Sequence, residues 1–215
     1  MEKVAIVDYG MSNLHSVFSA LTKVSNGNFD IQITRDPNVI NNSDRVVFPG
    51  QGAAADCMRQ INQYGLADSI QKAASEKPFL GICMGMQVLL ERSQENNGTE
   101  CLGLLKGSVK AFSEAFKTAG VSHEHKIPHM GWNTIDQKFD HPLWNGIEQN
   151  SYFYFVHSYY VSLADPSQSA GMTDYGIEFS SVLAGGKVFA MQCHPEKSAD
   201  NGLQLLTNFL NWNGN

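Results

Sequence analysis

A cysteine flanked by two glycines, Gly81-Ile82-Cys83-Met84-Gly85, follows an apolar run and precedes a helical pattern. At a strand-to-helix junction such a G-x-nucleophile-x-G segment turns sharply and projects its central side chain above the sheet, and small flanking residues avoid clashes. Free N–H groups at the start of the next helix, with the positive end of its dipole, favour the thiolate. By itself the pentapeptide fits equally well a buried structural cysteine beside a glycine turn. A nucleophilic cysteine also needs a base, and the base needs an orienting group. Among the seven histidines, His194 is the strongest candidate, because it ends a strand-like run and is followed by Pro195-Glu196. A bend there can bring His194 and the Glu196 carboxylate to one side. His15 falls within an amphipathic helical pattern and reads as solvated. His123, His125 and His129 form an H-x-H…H cluster, but no carboxylate or cysteine stands at a usual zinc-ligand spacing and the stretch is loop-like, so no metal is expected. Cys57, Cys101 and Cys193 read as buried thiols.

Positioning this chemistry falls to an alternation of strands and helices. Val4 to Val7 is a continuous apolar run, as in a strand buried on both faces. Leu14, Val17, Phe18, Leu21 and Val24 then recur at helical spacing, with Ser12 as the expected N-cap. Phe29, Ile31 and Ile33 alternate as a second strand, and Arg45 to Phe48 forms a third, stopped by Pro49-Gly50-Gln51-Gly52. Helices are expected near 53–62 and 66–75. A fourth strand, Phe79 to Ile82, ends on Cys83, and a helix is expected from Met84 to Arg92. This order argues for a mostly parallel central sheet flanked by helices. The later half is β-rich and antiparallel in character, with strands over Ser108 to Phe112, Trp132 to Ile135, Ser151 to Leu163 and Val182 to Ala184. A Gly185-Gly186 hairpin turn leads into Lys187 to Gln192, and a closing helix carries Leu203, Leu206, Phe209 and Leu210. The fold class is therefore α/β, one domain over 1–215 with an antiparallel extension.

The 215 residues carry 15 basic and 21 acidic side chains, a net charge of −6. A nucleic-acid partner is not expected, since no basic face is visible. A membrane is not expected either, because no apolar run approaches the roughly 20 residues of a spanning helix. Met1-Glu2-Lys3 enters a strand at once, without a basic n-region or cleavage site, which predicts a cytoplasmic protein. The turn after the first strand, Asp8-Tyr9-Gly10-Met11-Ser12-Asn13, lacks a glycine-rich phosphate cradle, which argues against a flavodoxin-like nucleotide binder. No cofactor is called for.

Several segments carry a resemblance. G-I-C-M-G-M-Q at 81–87, P-G-Q-G at 49–52 and C-H-P-E at 193–196 are similar to the class I, triad-type glutamine amidotransferases, whose core is flavodoxin-like. D-Y-G-M-S-N-L at 8–14, K-I-P-H-M-G-W-N at 126–133, Y-F-Y-F-V-H-S-Y at 152–159 and H-P-E-K-S at 194–198 resemble, more narrowly, the glutaminase subunits of imidazole glycerol phosphate synthase. The likeness runs through nearly the whole chain. Ser12 stands where many of these proteins have Gly, and Gln51 where Val is common.

The resemblance implies Cys83 as nucleophile, His194 as general base and acid, and Glu196 as orienter, the three residues already singled out. It further implies that Gly52, Gln87 and Glu95, with the backbone at Ser158 and Tyr159, hold the substrate L-glutamine. The oxyanion donors would be backbone N–H groups of Met84 and of the Gly50–Gln51 segment. Asn13, Met130, Trp132, Asn133 and Lys197 would face a (β/α)8 cyclase subunit in a heterodimer. That partner would use the ammonia to make imidazole glycerol phosphate and AICAR from PRFAR in histidine biosynthesis. A core position for Trp132 is the competing reading. Two other functions compete as well: the glutaminase of another class I pathway, such as pyridoxal phosphate, anthranilate or a sugar nucleotide, and a catalytically silent partner-binding module.

Overall fold

The computed structural model describes residues 1–10, 13–121 and 125–215. Ser12 and His123 lie outside the described residues. The chain begins with β1 (Glu2–Val7), α1 (Leu14–Ser25), β2 (Phe29–Thr34), α2 (Pro37–Asn41), β3 (Arg45–Gly50), α3 (Ala54–Gln63) and α4 (Ala67–Glu76). It continues through β4 (Phe79–Cys83), α5 (Met84–Gln87), β5 (Arg92–Ser93), β6 (Thr99–Glu100), β7 (Gly107–Ala111) and α6 (Phe112–Ala119). The last part comprises β8 (His129–Gln137), β9 (Ser151–His157), β10 (Tyr159–Leu163), β11 (Ser169–Asp174), β12 (Glu178–Gly185), β13 (Val188–Met191) and α7 (Ala199–Asn211).

Strands β2-β1-β3-β4-β13 run parallel, and the sheet continues through β12, β10, β7, β5 and β6 with mostly antiparallel pairing. Side-chain alternation along the parallel strands divides the core in two. Val4 and Ile6 of β1, with Val47 and Leu80, pack under α1 and α7. Ala5 and Val7, with Val46, Phe48 and Phe79, pack under α3 and α4 through Ile61, Ile70 and Ala73. Both faces are covered, so these strands need continuous apolar runs rather than alternating ones.

Four sequence expectations require correction. The helix after Cys83 ends at Gln87, not Arg92. Carbonyls of Val88, Leu89 and Leu90 accept instead from backbone amides of Leu102, Gly103, Leu104 and Leu105, so this buried apolar run leaves the helical ladder. The segment 151–163 is two strands, because β9 pairs with β8 whereas β10 pairs with β7 and β12. The chain changes partners at Ser158. The hairpin turn sits on Gly186-Lys187, with Gly185 opposite Val188 and Gly186 at φ +56°. Finally, Phe112 is not a strand end but the first residue of α6, where it is fully buried among aromatic rings.

Candidate active site

Cys83 ends β4 with φ 55° and ψ −113°, a left-handed backbone that a non-glycine residue adopts at a cost of about 1–3 kcal/mol. The residues two away on either side are glycines because the backbone is crowded. A Cβ on Gly85 would stand 1.8 Å from the Phe48 carbonyl oxygen, and one on Gly81 would stand 2.9 Å from Ala190 Cβ. The next helix is a single turn, too short for a long macrodipole to act on the sulfur.

His194 follows β13 across the sheet. Its backbone N–H donates to the Tyr154 carbonyl at 2.9 Å, and Ser198 Oγ donates to its carbonyl at 2.6 Å. The turn Pro195–Lys197 brings Glu196 back under the ring, and Nδ1 meets Glu196 Oε1 at 2.8 Å. The Glu196 side chain is only 2% exposed, so this carboxylate is held by the imidazole rather than by water. Burial pulls the His194 pKa down, but the interactions with Cys83 and Glu196 outweigh it and raise it to about 10. His194 is therefore held in its protonated form beside the sulfur of Cys83.

Cys83 and His194 line one cavity of about 380 Å³, together with Gln51, Gly52, Met84, Gln87, Glu95, Ser158, Tyr159 and Lys197. Glu95 is half-buried at the cavity wall. Its Oε2 accepts from the Ala54 N–H at 2.7 Å, at the start of α3. Gly50 stands opposite Cys83 in the parallel register, and a Cβ there would fall 2.9 Å from Met84 Cβ and 2.1 Å from Tyr9 Oη. The two backbone segments named for the oxyanion thus lie in contact. Of the glycines beside Gln51, Gly52 has the left-handed backbone, at φ +86°, while Gly50 is a glycine because of close approach.

A second network meets the cavity from behind. His157 Nδ1 lies 2.8 Å from the Tyr159 carbonyl, which can only accept, so Nδ1 carries the proton. His157 Nε2 is then the acceptor for His129 Nδ1–H at 2.8 Å, and His129 Nε2 accepts from Asn133 Nδ2 at 3.3 Å. Burial pushes both imidazoles down, with a further lowering by neighbouring histidines, to about 3 for His157 and about 4 for His129. Both are neutral. With its two ring nitrogens engaged, His129 has none left for a metal. His125 packs edge-on against Tyr175.

Met130 and Trp132 project from one face of β8 and are 61% and 53% exposed. Tyr152 on β9 is 58% exposed on that face, and Trp132 meets Tyr154 edge-on at 6.1 Å. Trp132 is therefore a strand residue and not a core one. Lys197 Nζ lies 5.9 Å from the centre of the Tyr154 ring, joining this aromatic face to the cavity rim. Asn13 is exposed just before α1. Asn133 projects from the opposite face of β8, where Nδ2 also donates to the Asp174 carbonyl at 2.8 Å. Sequence reasoning passed over Gln192, whose Nε2 approaches Cys83 Sγ at 3.6 Å and whose Oε1 accepts from Gln87 Nε2 at 2.8 Å. Its only sequence signal is a polar residue in an otherwise apolar strand end.

A doubly covered sheet with a cysteine on the strand-to-helix turn and a His–Glu pair in the turn after the adjacent strand defines a class of amide-cleaving enzymes. The profile of the glutamine amidotransferase class-I family matches residues 5–212, and the chain belongs to that family. Among curated proteins, the imidazole glycerol phosphate synthase subunit HisH of Pseudomonas putida is 50% identical over 215 residues, covering 100% of this chain and 99% of its own. The protein of the same name from Methylococcus capsulatus is 53% identical over 213 residues, covering 99% and 97%. Among solved structures, PurLQS from Thermotoga maritima superposes with a TM-score of 0.72 at 19% identity, covering 98% of each chain. A structure described as a glutamine amidotransferase gives 0.71 at 15% identity, covering 96% and 97%. These two establish likeness of fold.

Proposed function

We propose that residues 1–215 form one glutaminase domain that supplies ammonia to the cyclase subunit of imidazole glycerol phosphate synthase in histidine biosynthesis. The observation that carries this reading is the geometry of His194, bonded through Nδ1 to a buried Glu196 and sharing a cavity with Cys83. Cys83 thiolate attacks the side-chain amide carbon of L-glutamine. The tetrahedral oxyanion takes hydrogen bonds from the backbone N–H groups of Met84 and the Gly50–Gln51 segment. His194 gives its proton to the departing ammonia, leaving a γ-glutamyl thioester on Cys83. His194, now neutral, takes a proton from water as it attacks, and glutamate leaves with regeneration of the thiolate. Glu95 suits the α-ammonium of the substrate, and the 158–159 backbone its α-carboxylate.

The acceptor reaction belongs to a second chain. We assign it to a (β/α)8 cyclase paired one to one with this protein, which makes imidazole glycerol phosphate and AICAR from PRFAR. Met130, Trp132 and Lys197 fit the interface, as does Asn13. Asn133 would support it from behind. Because a phosphorylated acceptor does not cross membranes, the pair works in the cytoplasm.

Replacing Cys83 by Ala in the reconstituted pair tests the assignment. Glutamine-dependent product formation should fall by about four orders of magnitude, while product formation from added ammonium salt stays at the wild-type rate. Product still made from glutamine would remove Cys83 from the role. A wild-type chain without glutaminase activity, alone or with the cyclase, would favour the silent binding module.

A further inference from the structure

Gln192 is fully buried two residues before His194, and its backbone N–H is fixed to the Ser181 carbonyl at 2.8 Å. Which end of its amide faces the sulfur follows from hydrogen-bond polarity. The Tyr159 carbonyl oxygen can only accept, so the Gln87 atom 3.3 Å from it is the amide nitrogen. That nitrogen also meets Gln192 at 2.8 Å, which makes the atom there Oε1. The opposite end of the Gln192 amide, 3.6 Å from Cys83 Sγ, is therefore Nε2, a donor. Reversing either amide would set nitrogen against nitrogen or oxygen against oxygen. A single backbone carbonyl in the cavity wall thus orients two side chains in series and leaves an N–H directed at the sulfur.

Resting on the assignment of Cys83 as nucleophile, we infer that Gln192 is a further catalytic residue, whose amide N–H stabilises the Cys83 thiolate and fixes the sulfur's direction of attack. An anionic sulfur in a largely buried site needs donors, and His194 supplies charge from one side only. Gln192 supplies a neutral donor from a second direction, held in place by Gln87 whenever the thiolate is present. Its Oε1 meanwhile holds Gln87 against Tyr159, so the sulfur and the substrate wall share one anchor.

Two substitutions in the full chain separate this role from simple packing. Gln192→Met keeps length and volume but removes the donor. Gln192→Glu keeps the acceptor for Gln87 and sets a carboxylate against the sulfur. Iodoacetamide labelling of the Cys83 peptide, followed across pH by mass spectrometry, should show the apparent thiol pKa raised by about one unit in the Met variant. At any pH below the thiol pKa, labelling should then be roughly tenfold slower, by the same one-unit shift. The Glu variant should be shifted further in the same direction, with glutamine KM near wild type and kcat reduced. If either variant folds poorly by thermal melting, the other decides. A labelling profile unchanged in the folded variants, or a rise in KM alone, overturns the inference. Complete labelling of Cys83 that left glutaminase activity intact would overturn the nucleophile assignment itself, and the role of Gln192 with it.

Discussion

Glu196 accepts from His194 Nδ1, and its side chain is almost closed off from water. Its charge is one of the two influences that hold the imidazolium against burial. In Glu196→Gln the amide can still accept through Oε1, yet the charge is gone. The geometry survives, and the imidazolium loses stabilisation. Glutamine-dependent kcat should drop by about 10³–10⁴-fold, as for other orienting carboxylates. The alkaline limb of its pH profile should move to lower pH, because His194 now surrenders its proton earlier. An unmoved limb would mean that Cys83 alone sets the pKa. At this scale much was readable from the chain. Cys83, His194 and Glu196 stand in short segments where spacing alone brings them near a turn. Gln192 was not readable, because its meaning comes from Gln87 and Tyr159, 105 residues away in one case and reached only across the sheet.

The paired strands β8 and β9 set His129 opposite His157, and their rings are joined by a hydrogen bond at 2.8 Å. Both folded-state pKa values lie below the unfolded value near 6.5, at about 4 and about 3. The unfolded chain therefore binds more protons between pH 6.5 and 3. Stability is fully present above pH 6.5 and is lost progressively as the pH falls through that window. Thermal melts of the wild type should show this decline. His157→Asn keeps a donor for the Tyr159 carbonyl but cannot titrate, and should flatten it. An equally steep decline in the variant would assign the acid sensitivity to other groups. The parallel half of the sheet was legible because burial on both faces writes itself as unbroken apolar runs, as in Val4–Val7 and Phe79–Ile82. The second half was less so. Nothing in Ser151–Leu163 marks the change of pairing partner at Ser158, since buried positions 153, 155, 157 and 161 keep one parity throughout. The helix α6 buries only Phe112 and Phe116, too few for a periodic signal, and β11 is made of small and polar residues apart from Met172.

At the scale of the molecule, Met130, Trp132 and Tyr152 form an exposed apolar surface beside the mouth of the cavity. Exposed aromatics clustered in this way fit the interface proposed for the cyclase. Trp132→Ala should weaken cyclase binding by about 2 kcal/mol, roughly 30-fold in Kd, with folding stability changed by less than about 0.5 kcal/mol. Calorimetric titration and thermal melting separate the two. Unchanged binding with a large fall in melting temperature would reverse the reading. Elsewhere, Arg45 of β3 is buried while its guanidinium holds Glu2 Oε2 through Nε at 3.0 Å and Nη2 at 2.7 Å, and donates to the carbonyl of Trp212 just after α7. The first strand and the last helix are therefore tied through one side chain. Pulled apart from residues 2 and 212, as in an optical trap, the protein would carry the load through that guanidinium before any ladder of the sheet was sheared. Strands β4 and β13, which lead into Cys83 and His194 farther inside, would be shielded until the clasp had opened.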